Sequence, residues 1–421
     1  MKKCLPLVVA FLLPFHFSNG QTDSVLARQF VQLNADGAFQ KAYQLFAPQL
    51  QSRLNPGLLK STWNKYMGKY GTLQDIHQME LIAHDSVRIW MTDCSFTDAN
   101  IRLALTFNKD KELIGYYINR IEPHRISTAR RNETDTTIAV PGGKIAGSLV
   151  LPNKQQAVPV VLILPGSGSV DRDGNAPPVL ETNTYRMLAD GLAADGIASF
   201  RYDKRGTGQS SQLVTHPERL RFADFVRDAV DLIGFLKQDT AFSEVILAGH
   251  SQGSLIAILA AQQVEVAGVI SLEGAGQPVD KILYQQISRL TKDSAQQLAK
   301  VLDSIKAGIA VKSAPNSPLF NPTVQPFLTS WMQFDPAKEI GQLPMPVLII
   351  NGTTDLQVPV EQADLLAKAA QSDQKVIIEG MNHELKTAPA ERTLNLSTYQ
   401  KPGLPLHKEL MPVLVTFINS L

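Results

Sequence analysis

The chain has almost no cysteine. Two occur in 421 residues, Cys4 and Cys94. Cys4 falls in an N-terminal stretch that reads as a cleaved leader, so one thiol remains and no intramolecular disulfide is possible. Cys94, between Asp93 and Ser95 beside an aromatic strand, reads as a buried structural thiol. No Cys/His cluster has zinc spacing, and neither an H-E-x-x-H nor an EF-hand pattern occurs, so no metal or other cofactor is implied. An excess of one charge is also missing: 40 basic against 39 acidic residues leave +1. No global field would draw in nucleic acid or acidic lipid. Basic tracts, heptad runs and low-complexity segments are absent as well.

Long hydrophobic runs are nearly absent. Lys2 and Lys3 precede Leu5 to Phe17, which is interrupted by Pro6, Pro14 and His16. That is shorter than the roughly 20 apolar residues of a membrane span. Ser18-Asn19-Gly20 offers small residues for cleavage, so residues 1–20 read as a signal peptide with Gln21 as the mature start. A secreted or periplasmic protein with no stable membrane anchor is expected.

With 421 residues, two domains are the natural expectation. Residues 24–67 carry helical apolar spacing, broken at Pro48 and at Asn55-Pro56-Gly57. Residues 72–120 change to strand periodicity, clearest in 86–91, 101–107 and 113–118. Together they predict an α+β domain over 21–122, which resembles the small cystatin- or NTF2-like domains found before some secreted hydrolases. His77 and His84 read there as ordinary polar positions. The charged stretch 123–136 reads as a linker.

From 137 the pattern alternates strand and helix. A hairpin around Pro141-Gly142-Gly143 opens it, and Val158–Leu164, Ile197–Tyr202, Val245–Ala248, Val266–Leu272, Pro346–Ile350 and Lys375–Ile378 are nearly all apolar. Helical stretches 184–194, 222–238, 362–370 and 411–418 lie between and after them. Such strands predict a mostly parallel sheet covered by helices on both faces, an α/β fold over 137–421. The alternation pauses at about 277–343. A helical stripe over 279–311 and a proline-rich loop with Phe320, Phe327, Trp331 and Phe334 are read as a cap at the carboxyl edge of the sheet, where ligands bind in open α/β folds.

Gly249-His250-Ser251-Gln252-Gly253 directly follows the strand Val245–Ala248 and leads into an apolar helix. A G-x-S-x-G in strand–turn–helix context is the pattern of a nucleophile elbow, a turn tight enough to lift the serine hydroxyl above the sheet. A tight structural turn is the plainer alternative. A serine needs a base within reach. Of eight histidines, His383 alone follows a late strand on a loop, in Gly380-Met381-Asn382-His383-Glu384; His250 is read as pointing elsewhere along the turn. The base needs a carboxylate to fix its tautomer. Asp355 ends Asn351-Gly352-Thr353-Thr354-Asp355 after another strand, with an Asx-type loop as its alternative and Glu273 as a rival acid. The oxyanion donors should be the backbone N–H of Gln252 and one from Pro165-Gly166-Ser167-Gly168-Ser169, at Ser167 or its neighbour Gly168. The G-x-x-x-x-G-K-[ST] spacing of a phosphate loop is absent there.

These motifs, with Arg201-Tyr202-Asp203-Lys204-Arg205-Gly206-Thr207-Gly208-Gln209-Ser210, resemble the α/β-hydrolase superfamily over residues 136–421. Asp171-Arg172-Asp173-Gly174-Asn175 resembles a bacterial esterase subgroup. Pro165-Gly166 replaces the His-Gly of many relatives. The order Ser251, Asp355, His383 is the one expected of the superfamily. The resemblance implies a serine hydrolase acting on small-molecule carboxylic esters. A peptidase or thioesterase with the same residues is the runner-up; a peptidase would want cap carboxylates such as Asp280, Asp293 or Asp303 to hold a free amine. A non-catalytic binding protein on the same scaffold is a third reading.

Overall fold

A computed structural model describes residues 23–421 apart from 68–69, 85–86, 98, 124–131, 154–155, 178, 289–294, 312–319 and 373. The leader reading of residues 1–20 lies outside the described residues. The chain divides into two compact units, Met1–Ser127 and Thr128–Leu421.

In the first unit, helices α1 (Asp23–Ala35), α2 (Phe39–Tyr43), α3 (Pro48–Gln51) and α4 (Pro56–Tyr66) precede an antiparallel meander. Its strands are β1 (Leu73–His84), β2 (Val87–Phe96), β3 (Ala99–Phe107) and β4 (Leu113–Pro123), paired in sequence order. The chain breaks into helices where expected, because Pro48 and Pro56 each stand at a first helical turn, where a missing N–H costs nothing. Asn55 caps α4 by accepting from the Leu58 N–H at 2.8 Å. Phe30, Trp63, Phe96, Leu103 and Phe107 form the core. Cys94 is buried in it, as expected.

The second unit is an eight-stranded sheet. β5 (Glu133–Val140), β6 (Gly143–Val150), β7 (Val158–Leu164) and β10 (Ala198–Tyr202) form one side of it. β11 (Phe242–His250), β12 (Gly268–Leu272), β13 (Val347–Gly352) and β14 (Lys375–Ile378) form the other. The order is β14-β13-β12-β11-β7-β10-β6-β5; the pairs from β14 to β10 are parallel, and β6 and β5 pair antiparallel at the edge. The short hairpin β8 (Asn175–Ala176) and β9 (Leu180–Glu181) stands apart from this sheet. The linker is shorter than the sequence suggested: residues 133–136 pair with β6, and 124–131 lie outside the described residues.

Successive strand residues point to opposite faces. Val160, Leu162 and Leu164 therefore enter one core with α6 (Phe222–Lys237) and α7 (Gln252–Ala261), while Val161 and Ile163 enter the other with α5 (Thr184–Ala194) and α14 (Leu410–Ile418). Covering both faces is what makes the strands continuously apolar. All ten residues of α7 are buried, as expected of a helix apolar all round.

The insertion read as a cap comprises α8 (Val279–Ser288), α9 (Ala295–Lys306), α10 (Gln325–Trp331) and α11 (Pro336–Ile340), with α12 (Glu361–Ala370) and α13 (Arg392–Ser397) following. Part of the loop read as proline-rich and irregular is helix α10. It accommodates Pro326 within its first turn, and its Phe327 and Trp331 pack on Phe222 of α6, Trp331 stacked at 5.5 Å. Tertiary packing of these rings overrides a composition that reads as loop.

Candidate active site

β7 is the switch point of the sheet. It lies between β11 and β10, so the loops leaving β7 and β11 emerge side by side at the carboxyl edge. The turn after β11 is as tight as its glycines imply. A Cβ on Gly249 would enter the backbone of Gly253, and one on Gly253 would strike the Leu164 carbonyl. Between them Ser251 sits at φ +54°, ψ −117°, a conformation that non-glycine residues rarely adopt. The Ser251 N–H donates to the Leu272 carbonyl at 2.8 Å, which ties the elbow to the end of β12.

Ser251 and Gln252 open onto a cavity of about 660 Å³ together with Ser167 and Gly168. Gln252 begins α7, so its N–H belongs to the first helical turn, where backbone donors lack intrahelical partners. Gly168 takes φ +83°, which lets the loop turn back beneath the cavity. Both proposed oxyanion segments therefore face the same space as the serine.

His383 Nδ1 meets Asp355 Oδ2 at 2.7 Å. Asp355 Oδ1 accepts from the Gln357 and Val358 N–H groups at 2.6 and 3.0 Å, so the loop is an Asx-type turn that also presents a carboxylate oxygen to His383. The loop that carries His383 is pinned by Asn382, whose Oδ1 accepts from the Glu384 and Lys386 N–H groups and whose amide donates to Thr398. Burial alone would lower the His383 imidazole. The Asp355 charge and hydrogen bond, joined by Glu384, override it and hold His383 above its ordinary value. Burial would raise Asp355, but His383, Glu273 and the Val358 N–H outweigh it and hold the carboxyl low. An ionised Asp355 requires the proton on His383 Nδ1 and leaves Nε2 as the acceptor. No hydrogen bond joins His383 to Ser251 Oγ among the described residues; such contacts often tighten only with substrate.

His250, set aside in the sequence, is central. Its Nε2 lies 2.7 Å from the His383 carbonyl, which can only accept, so Nε2 carries the proton. Its Nδ1 then accepts from the Tyr185 hydroxyl at 2.8 Å, and that oxygen accepts from the Gly166 N–H at 2.8 Å. The chain Gly166–Tyr185–His250–His383 thus laces the loop after β7 to the loop after β14. Burial pulls the His250 imidazole down to about 3, with the neighbouring His383 pushing the same way, so it stays neutral. Lys204 was also missed as an individual residue. Its buried ammonium donates to the Gly166 carbonyl at 2.6 Å and to Gln252 Oε1 at 3.2 Å, and burial pulls it down to about 7. A lysine two residues beyond the strand Ile197–Tyr202 was the available signal. Glu273, the rival acid, is fully buried beside Asp355 and His383; the nearest oxygens and ring nitrogen of the three lie within 4.8 Å of one another.

A family model described as serine aminopeptidase, S33, matches residues 180–389, a stretch that contains Ser251, Asp355 and His383. A second, for a family of unknown function, matches 27–116. Esterase EstD of Thermotoga maritima is 21% identical over 380 residues, which cover 86% of this chain and 89% of that protein. Among solved structures, Est1E from Butyrivibrio proteoclasticus with bound ferulic acid is 17% identical, covering 68% of this chain and 100% of its own, at a TM-score of 0.46. Proline iminopeptidase of Mycobacterium smegmatis is 14% identical, covering 68% and 98%, at 0.45. Strand order, elbow and catalytic-region family model agree: the second unit has the α/β-hydrolase fold, and its catalytic region matches a serine-hydrolase family.

Proposed function

We propose that the protein is a carboxylesterase in which Ser251, His383 and Asp355 form the triad. Ser251 Oγ attacks the ester carbonyl while His383 Nε2 takes its proton. The tetrahedral oxyanion is met by the N–H groups of Gln252 and of Ser167, with Gly168 as neighbour. His383 returns the proton to the departing alcohol, and water activated by the same imidazole frees the acid from the acyl-enzyme.

The observation that carries ester over peptide is the lining of the cavity. Leu255, Val279, Ile282, Leu283, Phe327 and Trp331 give it apolar walls, and no carboxylate lines it among the described residues. Of the two cations among its described lining residues, Arg205 is held by Asp228 at 2.5 and 2.9 Å and Lys204 is spent on the Gly166 carbonyl. A free amino terminus would find no counter-charge. Asp280, one carboxylate an aminopeptidase could use, is buried and paired with Lys306 at 3.1 Å; Asp303 is exposed, and Asp293 lies outside the described residues. The substrate is therefore a small-molecule ester with an apolar acyl group.

Export remains part of the proposal on sequence grounds alone, and no described helix is long and apolar enough to cross a membrane. The test is turnover of p-nitrophenyl esters from acetate to palmitate beside amino-acid p-nitroanilides, with Ser251→Ala as control. Ester turnover lost in the variant supports the reading. Anilide turnover exceeding ester turnover would sink it.

A further inference from the structure

Glu273 ends β12 in a costly state. Its φ is +50°, in the left-handed region that glycine favours, and its side chain is wholly buried. Its N–H donates to the Ile350 carbonyl at 2.9 Å, which holds the residue against the end of β13, next to the acid loop. Oε2 accepts from the Asn351 amide at 2.6 Å, while Oε1 has no hydrogen-bond donor. No lysine or arginine pairs with it among the described residues. The titratable groups around it are Asp355, His383, Glu384 and Tyr399.

Two carboxylates this close and this dry cannot both ionise against one imidazole. A proton must sit between them, and the orphaned Oε1 is the atom placed to carry it. We propose that Glu273 is a positioning residue: a neutral carboxylic acid that donates a hydrogen bond from Oε1 to the Asp355 carboxylate. Burial, and then the charge on Asp355, raise the Glu273 carboxyl well above the ordinary range, which agrees. Asp355 is then held by the Gln357 and Val358 N–H groups, by His383 and by Glu273, and cannot rotate away as the imidazolium forms. Neutrality matters as much as the bond. A second negative charge there would raise His383 further and keep it protonated at the pH where it must act as a base.

The inference rests on the triad reading, and its test separates the two. The full chain is prepared as wild type, Glu273→Gln and Glu273→Leu. Glutamine can keep both bonds, its oxygen accepting from Asn351 and its NH₂ donating to Asp355; leucine keeps neither. Glu273→Leu should lower kcat about 10- to 100-fold with KM little changed, and Glu273→Gln should recover most of that loss. The acidic limb of the kcat/KM profile should coincide in wild type and Glu273→Gln. The infrared difference spectrum of those two in D₂O at neutral pH should contain the C=O band of a neutral carboxylic acid. Absence of that band overturns the proposal. So does an acidic limb about one unit lower in Glu273→Gln, because that shift means a negative charge was removed. If Glu273→Leu fails to fold, the band and the glutamine profile still decide. Activity surviving Ser251→Ala would sink the triad reading instead, an outcome on which the band does not depend.

Discussion

The two units bury apolar side chains in the same manner and polar ones very differently. In the first, Asp23 is buried against Arg88, and Asn34 bonds a carbonyl of its own helix. In the second, Lys204, His250, Glu273, His383, Glu384 and Lys386 are all buried near one sheet edge. Buried ionisable groups are expensive. Other buried cations of this unit, Arg172, Arg201 and Arg205, are matched by Asp203, Asp173 and Asp228, whereas perturbed groups clustered at a cavity are a recurrent mark of a functional site. The contrast in where charge is hidden therefore points to the chemistry as directly as the elbow does.

The sharpest way to break that contrast is to remove one nucleophilic atom from each unit. Ser251→Ala should lower kcat by at least about 10⁴-fold and leave the thermal transition close to the wild type. Burial pushes the Cys94 thiol up to about 12, with Asp93 adding to it, so that sulfur is inert. Cys94→Ala should keep full ester turnover and lose only a little stability. Loss of turnover on Cys94→Ala would end the division of labour between the units.

Next in size is the acid. Asp355→Asn keeps the shape of the loop but turns an acceptor toward a donor, which favours the wrong tautomer of His383. A loss in kcat of about 10³- to 10⁴-fold is expected, with little change in KM. A loss below about tenfold would hand the role of acid to Glu273.

Much of this site was legible in the sequence because each part is local. Ser251 lies in a five-residue motif, and Asp355 and His383 each follow an apolar strand. The chain order of the three is the superfamily's. The boundaries of α5 and β14 were equally plain, since one element is amphipathic and bounded and the other is a short apolar run. What stayed hidden depends on distance along the chain. His250 acquires its role from Tyr185, 65 residues back, and from His383, 133 residues on. Glu273 was weighed as an alternative to Asp355, whereas the fold sets the two side by side. Strand β1 falls inside the stretch read as strand-like, but register shifts at Leu73/Asp75 and Ile76/Gln78 break its two-residue period, so its alternation is less plain than that of β3. Residues 133–136 read as linker because their exposed edge strand is polar.

The buried histidine also gives the second unit a pH signature. His250 has an ordinary value of 6.5 in the unfolded chain and about 3 in the fold. Between those values the unfolded state binds the extra proton, so stability is present above 6.5 and is lost as pH falls toward 3. The slope for one such proton is about 1.4 kcal/mol per pH unit. Urea midpoints across this window should fall less steeply in His250→Gln, which does not titrate. Parallel slopes would mean that the imidazole is solvated.

The smallest effect expected lies in the cap, and it tests whether the apolar walls select substrate or only hold the cap together. Trp331 does both: it lines the cavity and stacks on Phe222. Leu283 lines the cavity from α8 and is only partly buried against the cap core. Truncating a wall residue enlarges the space by a few methylenes, each worth about 1 kcal/mol in a hydrophobic pocket. Leu283→Ala should therefore move the optimum of the p-nitrophenyl series toward longer acyl chains, changing the ratio of long- to short-chain kcat/KM by about tenfold. Trp331→Ala should show the same direction together with a lower thermal transition, because the stack on α6 is lost. If both variants lose stability and neither moves the optimum, the walls belong to the cap's own core and the acyl group lies elsewhere along the edge of the sheet.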